Sequence, residues 1–119
     1  MLKTVINIGA NTMENKVIFV DVDETICTHP DSDATSRVGA RNYENAVPIV
    51  ENIKKINALY DAGNTIVYWT ARGSRSGIDW TDLTKEQLIK WGAKHHGLRL
   101  DKPYFDVFVD DKNLRIEEV

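Results

Sequence analysis

The chain has 119 residues, 42% of them hydrophobic and 28% charged, and a net charge of −3. This is enough for one domain with a single core, and the acidic balance argues against a surface that recruits nucleic acid or anionic membrane. The single cysteine, Cys27, excludes an internal disulfide and suits a reducing compartment. No apolar run approaches the roughly 20 residues of a membrane span, and the N-terminus lacks the pattern of a secretory signal, so the sequence reads as a cytoplasmic protein.

In chain order, residues 1–12 (MLKTVINIGANT) read either as an edge strand, β-like over Thr4–Ile8, or as an upstream extension. KVIFVD, ending at Asp21, is a continuous apolar run of the kind expected for a central parallel strand covered on both faces. Residues 24–46 are polar and rich in turn formers, and read as a flap. Val50, Ile53, Ile56, Leu59 and Tyr60 recur at helical spacing, which predicts a helix over Val47–Ala62, with Pro48 in its first turn and Gly63 as its stop. A second strand is predicted at Thr65–Trp69. A second helix begins at Thr84, with Gln87 completing a capping box, or earlier at Thr81. Leu88, Trp91 and His95 share one face of it, and Gly97 ends it. Short strands follow at Leu98–Leu100 and Asp106–Val109, and NLRIEEV offers a last one. Strand, helix, strand, helix, strand predicts an α/β fold with a mainly parallel sheet and one domain over 1–119.

The chemistry collects where these strands end. Asp21, Asp23 and Thr25 follow the first strand, and Thr70 and Arg72 the second. Asp101 and Lys102 come next, and Asp110 and Asp111 follow DVFV. In a parallel sheet all of these gather at the carboxyl edge, where such folds bind ligands. Two like charges roughly 4 Å apart repel by about 4 kcal/mol at an effective dielectric near 20, which is large against a domain stability of about 5–15 kcal/mol. A divalent cation relieves the repulsion, and an all-oxygen set selects Mg²⁺ before Zn²⁺. Lys102 and the Thr70 hydroxyl suit a phosphate, a carboxylate can attack phosphorus, and a second carboxylate two residues on lies on the same side of an extended chain. The residues themselves therefore point to metal-assisted phosphoryl transfer.

DVDET (Asp21–Thr25), WTAR with Thr70, KP with Lys102 and VDD with Asp110–Asp111 together resemble the haloacid dehalogenase (HAD) superfamily of phosphohydrolases. Its four motifs stand in order over roughly residues 16–113. The resemblance implies a three-layer Rossmann-like core. It implies Asp21 as the nucleophile that becomes an aspartyl-phosphate, and Asp23 as the general acid/base. Thr70 and Ala71 would bind the phosphoryl group and Lys102 would steady it. Mg²⁺ would be held by Asp21, Asp23 and Asp110, with Asp111 directly or through water. Only 24 residues separate Asp23 from Pro48, which leaves no room for a cap domain. The layout is similar to the capless class, which includes phosphatases of capsule and polysaccharide biosynthesis and of deoxyoctulosonate phosphate. The activity implied is that of a phosphoric monoester hydrolase on a small ester, a sugar phosphate before others. An open site also implies cover from a neighbouring subunit, hence a homo-oligomer such as a tetramer, or else a large substrate.

Blander readings stand beside these. Arg72 and Arg75 either hold substrate or a partner's carboxylate, or belong to a flexible Gly/Ser loop. Cys27 reads as a small buried thiol, and His29 as an exposed loop histidine rather than a substrate contact. His95 and His96 read as cations at a helix end. Trp69, Trp80 and Trp91 read as core or interface, and Arg41 and Tyr43 as residues of an entrance. A nucleotide or nucleic-acid-end phosphatase is an alternative, disfavoured for polynucleotides by the acidic balance. A non-enzymatic phospho-acceptor of the receiver type is an alternative of another class. Motif order speaks against it, because here the acceptor candidate comes first and the acidic pair last.

Overall fold

Val17–Val20 is a run of apolar and β-branched residues with no turn former. In the computed structural model, which describes residues 6–8, 11–30 and 42–119, it forms β3. Before it, Ile6–Ile8 (β1) and Asn11–Met13 (β2) pair antiparallel as a separate hairpin. Of the edge strand expected over Thr4–Ile8, residues 4–5 lie outside the described residues, and the hairpin joins no other sheet. β3 pairs in parallel with β6 (Thr65–Trp69), Val17 opposite Thr65 and Val20 opposite Tyr68. β6 pairs in parallel with β7 (Gly97–Arg99), Val67 opposite Gly97 and Trp69 opposite Arg99. The sheet order is β3-β6-β7, so among the described residues β3 is an edge strand.

Two helices make the crossovers. α1 (Val50–Asp61) leaves β5 (Val47–Pro48), which pairs antiparallel with β4 (Cys27–Thr28). Pro48 is therefore a strand residue and not the first turn of the helix. α1 buries Ile53, Ile56 and Leu59 in one cluster with Val20, Val22, Ile26, Ile66, Tyr68 and, from α2 (Thr81–Lys90), Leu88. α2 takes the earlier of its two expected starts. Thr84 and Gln87 lie inside it, buried, and do not cap it. It also stops sooner than Gly97. Gly92 adopts φ +67, its N–H reaches Ile89 O and that of Ala93 reaches Leu88 O, and this αL cap ends the helix at Lys90. His95 and His96 consequently lie in the following loop. His96 stacks on Tyr60, and its Nδ1 accepts the Ile66 N–H at 3.0 Å.

Asn64 ties the sheet to its approach. Its Oδ1 accepts the Lys16 N–H at 3.0 Å, and its Nδ2 donates to Leu59 O at 2.9 Å and Met13 O at 3.3 Å.

The structure departs from expectation at β3 and at the C-terminal segment. β3 is not covered on both faces, for Val17 is 69% and Phe19 45% exposed. Residues 106–109 form no strand, and Val107 and Val109 are 77% and 92% exposed. β-branched residues favour an extended chain, but a strand needs a ladder partner, and among the described residues this segment pairs with none. NLRIEEV ends in a short 3₁₀ turn, Ile116–Glu118, whose Ile116 packs against the core. Among the described residues, no helix is long and apolar enough to cross a membrane.

Candidate active site at the carboxyl edge of the sheet

Because Val20 faces Tyr68 and Trp69 faces Arg99, the residues that follow β3, β6 and β7 leave the sheet at one end. After β3 the chain turns sharply. Glu24 takes φ +62, a conformation costly for a side chain, and Ile26 N–H closes on Val22 O at 2.9 Å. Val22 is fully buried, whereas Asp21 and Asp23 on either side of it are not.

Asp21 stands at the rim of a groove of about 720 Å³ whose other walls include Trp69, Lys102, Phe105, Phe108 and Asp110. Its side chain is 43% exposed, and Lys102 Nζ lies 3.6 Å from Oδ1. Burial raises its pKa above the ordinary 3.8, and Lys102 opposes this. Lys102 is placed by β7 and β6 together, since its backbone N–H donates to Thr70 O at 3.3 Å. Its ammonium also sits over the rings of Trp69 (5.5 Å) and Phe105 (5.3 Å). Thr70 is 1% exposed, and its Oγ1 accepts the Arg72 N–H at 3.2 Å. Ala71 begins the turn that follows, its carbonyl accepting the Ser74 N–H at 2.9 Å.

Asp23 is held quite differently. Arg72 Nε lies 3.2 and 3.1 Å from its two oxygens, Arg72 Nη2 lies 2.8 Å from Oδ1, and His29 Nε2 lies 2.9 Å from Oδ1. Burial pushes this carboxyl up, but the hydrogen bonds and charges of His29 and Arg72 outweigh burial and hold it down at about 2. His29, expected to be exposed, is 7% exposed, with its Nδ1 3.1 Å from Glu24 Oε1. The Cys27 thiol, buried as expected, lies 3.5 Å from Asp23 Oδ1. Burial and the Asp23 charge push it up to about 12.

Arg72 thus lies in the turn after β6 with its side chain directed inward rather than to solvent. Arg75 lies with its guanidinium over the Tyr104 ring at 4.4 Å. Tyr43 lies with its ring 4.7 Å from the Arg72 guanidinium carbon, and Arg41 is outside the described residues.

The acidic edge is therefore divided: among the described residues, no three of its carboxylates come within ligating reach of one another. Lys102 accompanies Asp21, while Arg72 and His29 clamp Asp23. Asp101 pairs with Arg99 and accepts the Trp69 indole N–H at 2.8 Å. Asp110 is on the groove wall but exposed, its carboxyl held below the ordinary value first by the Lys112 backbone N–H. Asp111 is 81% exposed beside Lys112. Because 103–109 forms no strand, Asp110 reaches the groove wall from an irregular segment rather than from a strand end. The one set of three ligating groups among the described residues is Asp23, Cys27 and His29, with donor atoms within 4.8 Å of one another. A guanidinium already supplies the cation there, and a thiol is poor company for Mg²⁺. Asp21 and Asp110 have the hard oxygen donors that Mg²⁺ prefers and share one groove.

His29, Thr84 and Gln87 join this cluster although nothing in their sequence context sets them apart from a loop histidine and a helix cap. One signal for Arg72 was available, since two carboxylates two residues apart need more than one countercharge, and Arg72 is the first cation after β6.

No protein-family model and no curated protein matches the chain. A crystal structure of a structural-genomics target from Vibrio cholerae is similar, with a TM-score of 0.72 and 23% identity over 87% of this chain and 85% of that one. The likeness is one of fold.

Proposed function

We propose that this chain is a Mg²⁺-dependent phosphatase of the HAD type that hydrolyses a small phosphate monoester, a sugar phosphate before others. The observation that carries the reading is the pairing of Asp21 with Lys102 at the carboxyl end of the parallel sheet, with Asp23 fixed as a carboxylate two residues on. An oxygen of Asp21 attacks phosphorus, the bond from phosphorus to the ester oxygen breaks, and the alkoxide leaves and takes its proton from solvent water. Lys102 steadies the phosphoryl oxygens. Water then attacks the acyl phosphate, Asp23 takes its proton, and inorganic phosphate leaves with Asp21 restored. Clamped by Arg72 and His29 and held at about 2, Asp23 is ionised at neutral pH: it can accept a proton, though only weakly, and has none to donate. The Asp23 of this structure therefore fits the water-activating half-reaction better than protonation of the leaving alcohol, and esters of acidic alcohols should turn over fastest. Asp21 and Asp110, which line one groove, would hold Mg²⁺, and the ion would supply positive charge that offsets the repulsion between a carboxylate and a phosphate.

The test is a screen of sugar phosphates, nucleotides and an aryl phosphate, with Mg²⁺ and with a chelator. The reading expects turnover that chelation abolishes and Mg²⁺ restores. Activity indifferent to chelation would contradict it, and stable phosphorylation without turnover would show a phospho-acceptor in its place.

A further inference from the structure

We propose that Arg72 is a positioning residue: its guanidinium fixes the Asp23 carboxylate in one orientation, and Thr84 and Gln87 on α2 fix the guanidinium. The kinetic consequence rests on the phosphatase reading, while the structural one stands without it.

Arg72 is 2% exposed, and each of its guanidinium nitrogens is engaged inside the protein. Nε and Nη2 take Asp23. Nη1 lies 3.1 Å from Thr84 Oγ1 and 2.6 Å from Gln87 Oε1, and Nη2 also reaches Cys27 Sγ at 3.8 Å. A substrate phosphate would have to displace Asp23 to reach this fork.

The two acceptors on α2 are themselves held by their own donors. Thr84 Oγ1 donates to Trp80 O at 2.8 Å, which turns a lone pair toward Nη1. Gln87 Nε2 donates to Tyr43 O at 2.6 Å, which leaves Oε1 facing the guanidinium. Only a planar fork with several donors can span a carboxylate on one side and two neutral oxygens on the other, and a lysine ammonium cannot. The end of β3 is thereby tied through Arg72 to one face of α2. A misplacement of about 1 Å of a group that handles the attacking water costs on the order of 10²-fold in rate.

The variants Arg72→Lys and Gln87→Met test this by steady-state kinetics on p-nitrophenyl phosphate with Mg²⁺, beside crystal structures of both. For Arg72→Lys we expect kcat to fall on the order of 10²-fold with KM within about twofold, as for an interaction absent from ground-state binding. Gln87→Met should show a smaller loss in the same sense, and both crystals should show the Asp23 carboxylate in a changed or divided orientation. A rise in KM with kcat preserved would make Arg72 a substrate ligand and overturn the proposal, as would an Asp23 unmoved in both crystals. If the wild type hydrolyses no phosphate ester, the phosphatase reading fails, and the Asp23 orientation in the crystals still decides the role of Arg72. Should Arg72→Lys fail to fold, Gln87→Met, which keeps the ion pair, carries both measurements.

Discussion

Asp21 and Asp23, two residues apart, meet opposite electrostatic fates, and stability separates them. Asp21 has a pKa raised above 3.8, so its contribution is fully present below the ordinary value and lost as pH rises through the raised one. Its charge therefore opposes folding at neutral pH. Asp21→Asn should raise stability at pH 7 by a few tenths up to about 1 kcal/mol, a small figure because solvent and Lys102 already screen the site, and should have no effect at low pH while turnover is abolished. Thermal melts across pH check this, and a loss of stability at pH 7 would contradict it. Asp23 has the reverse sign. With a carboxyl held at about 2 against an ordinary 3.8, its stabilisation is present above 3.8 and lost as pH falls toward 2. Asp23→Asn leaves the Arg72 guanidinium buried without its charged partner, and denaturant unfolding at pH 7 should show a loss of about 3–5 kcal/mol. These fates were only partly legible in the sequence. The carboxylates and Lys102 stand out because they follow apolar runs. A guanidinium in a Gly/Ser-rich stretch gives no sign that it turns inward, and neither does a threonine or glutamine that can serve equally well as a cap.

Among the elements, those whose pattern carries its own punctuation read well. β6 lies between the buried Asn64 and Thr70, and α1 repeats Ile53, Ile56 and Leu59 through one face. Boundaries slipped where tertiary partners decide, as at Pro48, which β4 recruits into a strand, and at Gly92, whose αL cap preempts Gly97. The turn after β6 that carries Arg72 has a sharper requirement. Gly73 adopts φ +82, and a Cβ there would lie 2.1 Å from Ile78 O, which is backbone and cannot move aside. Gly77 shares the conformation at φ +76 but meets nothing within 4 Å. Gly77→Ala should cost about 1 kcal/mol of strain. Gly73→Ala should cost clearly more and should also reduce turnover by disturbing Arg72. Paired denaturation curves check this, and equal effects would show that the turn does not constrain the site.

On the scale of the whole molecule, the open matter is the groove between β3 and the C-terminal segment. Asp21 and Asp110 stand on its walls, and Phe105 and Phe108 line it. DVFV reads as a strand because its residues favour extension, and among the described residues it pairs with no strand, while Val17 and Phe19 of β3 stay exposed. Mg²⁺ held by Asp21 and Asp110 would tie the segment to the site. Hydrogen exchange over residues 103–115 should therefore slow when Mg²⁺ is added, and Asp110→Asn should remove the effect. Exchange unchanged by Mg²⁺ would place any metal elsewhere. The most direct measurement of the central claim is peptide mass spectrometry of the protein quenched in acid during turnover of a phosphate ester with Mg²⁺. The account predicts one phosphoryl group on the peptide containing Asp21, absent from Asp21→Asn. Turnover with that peptide unmodified, or a label that survives in Asp21→Asn, would contradict it.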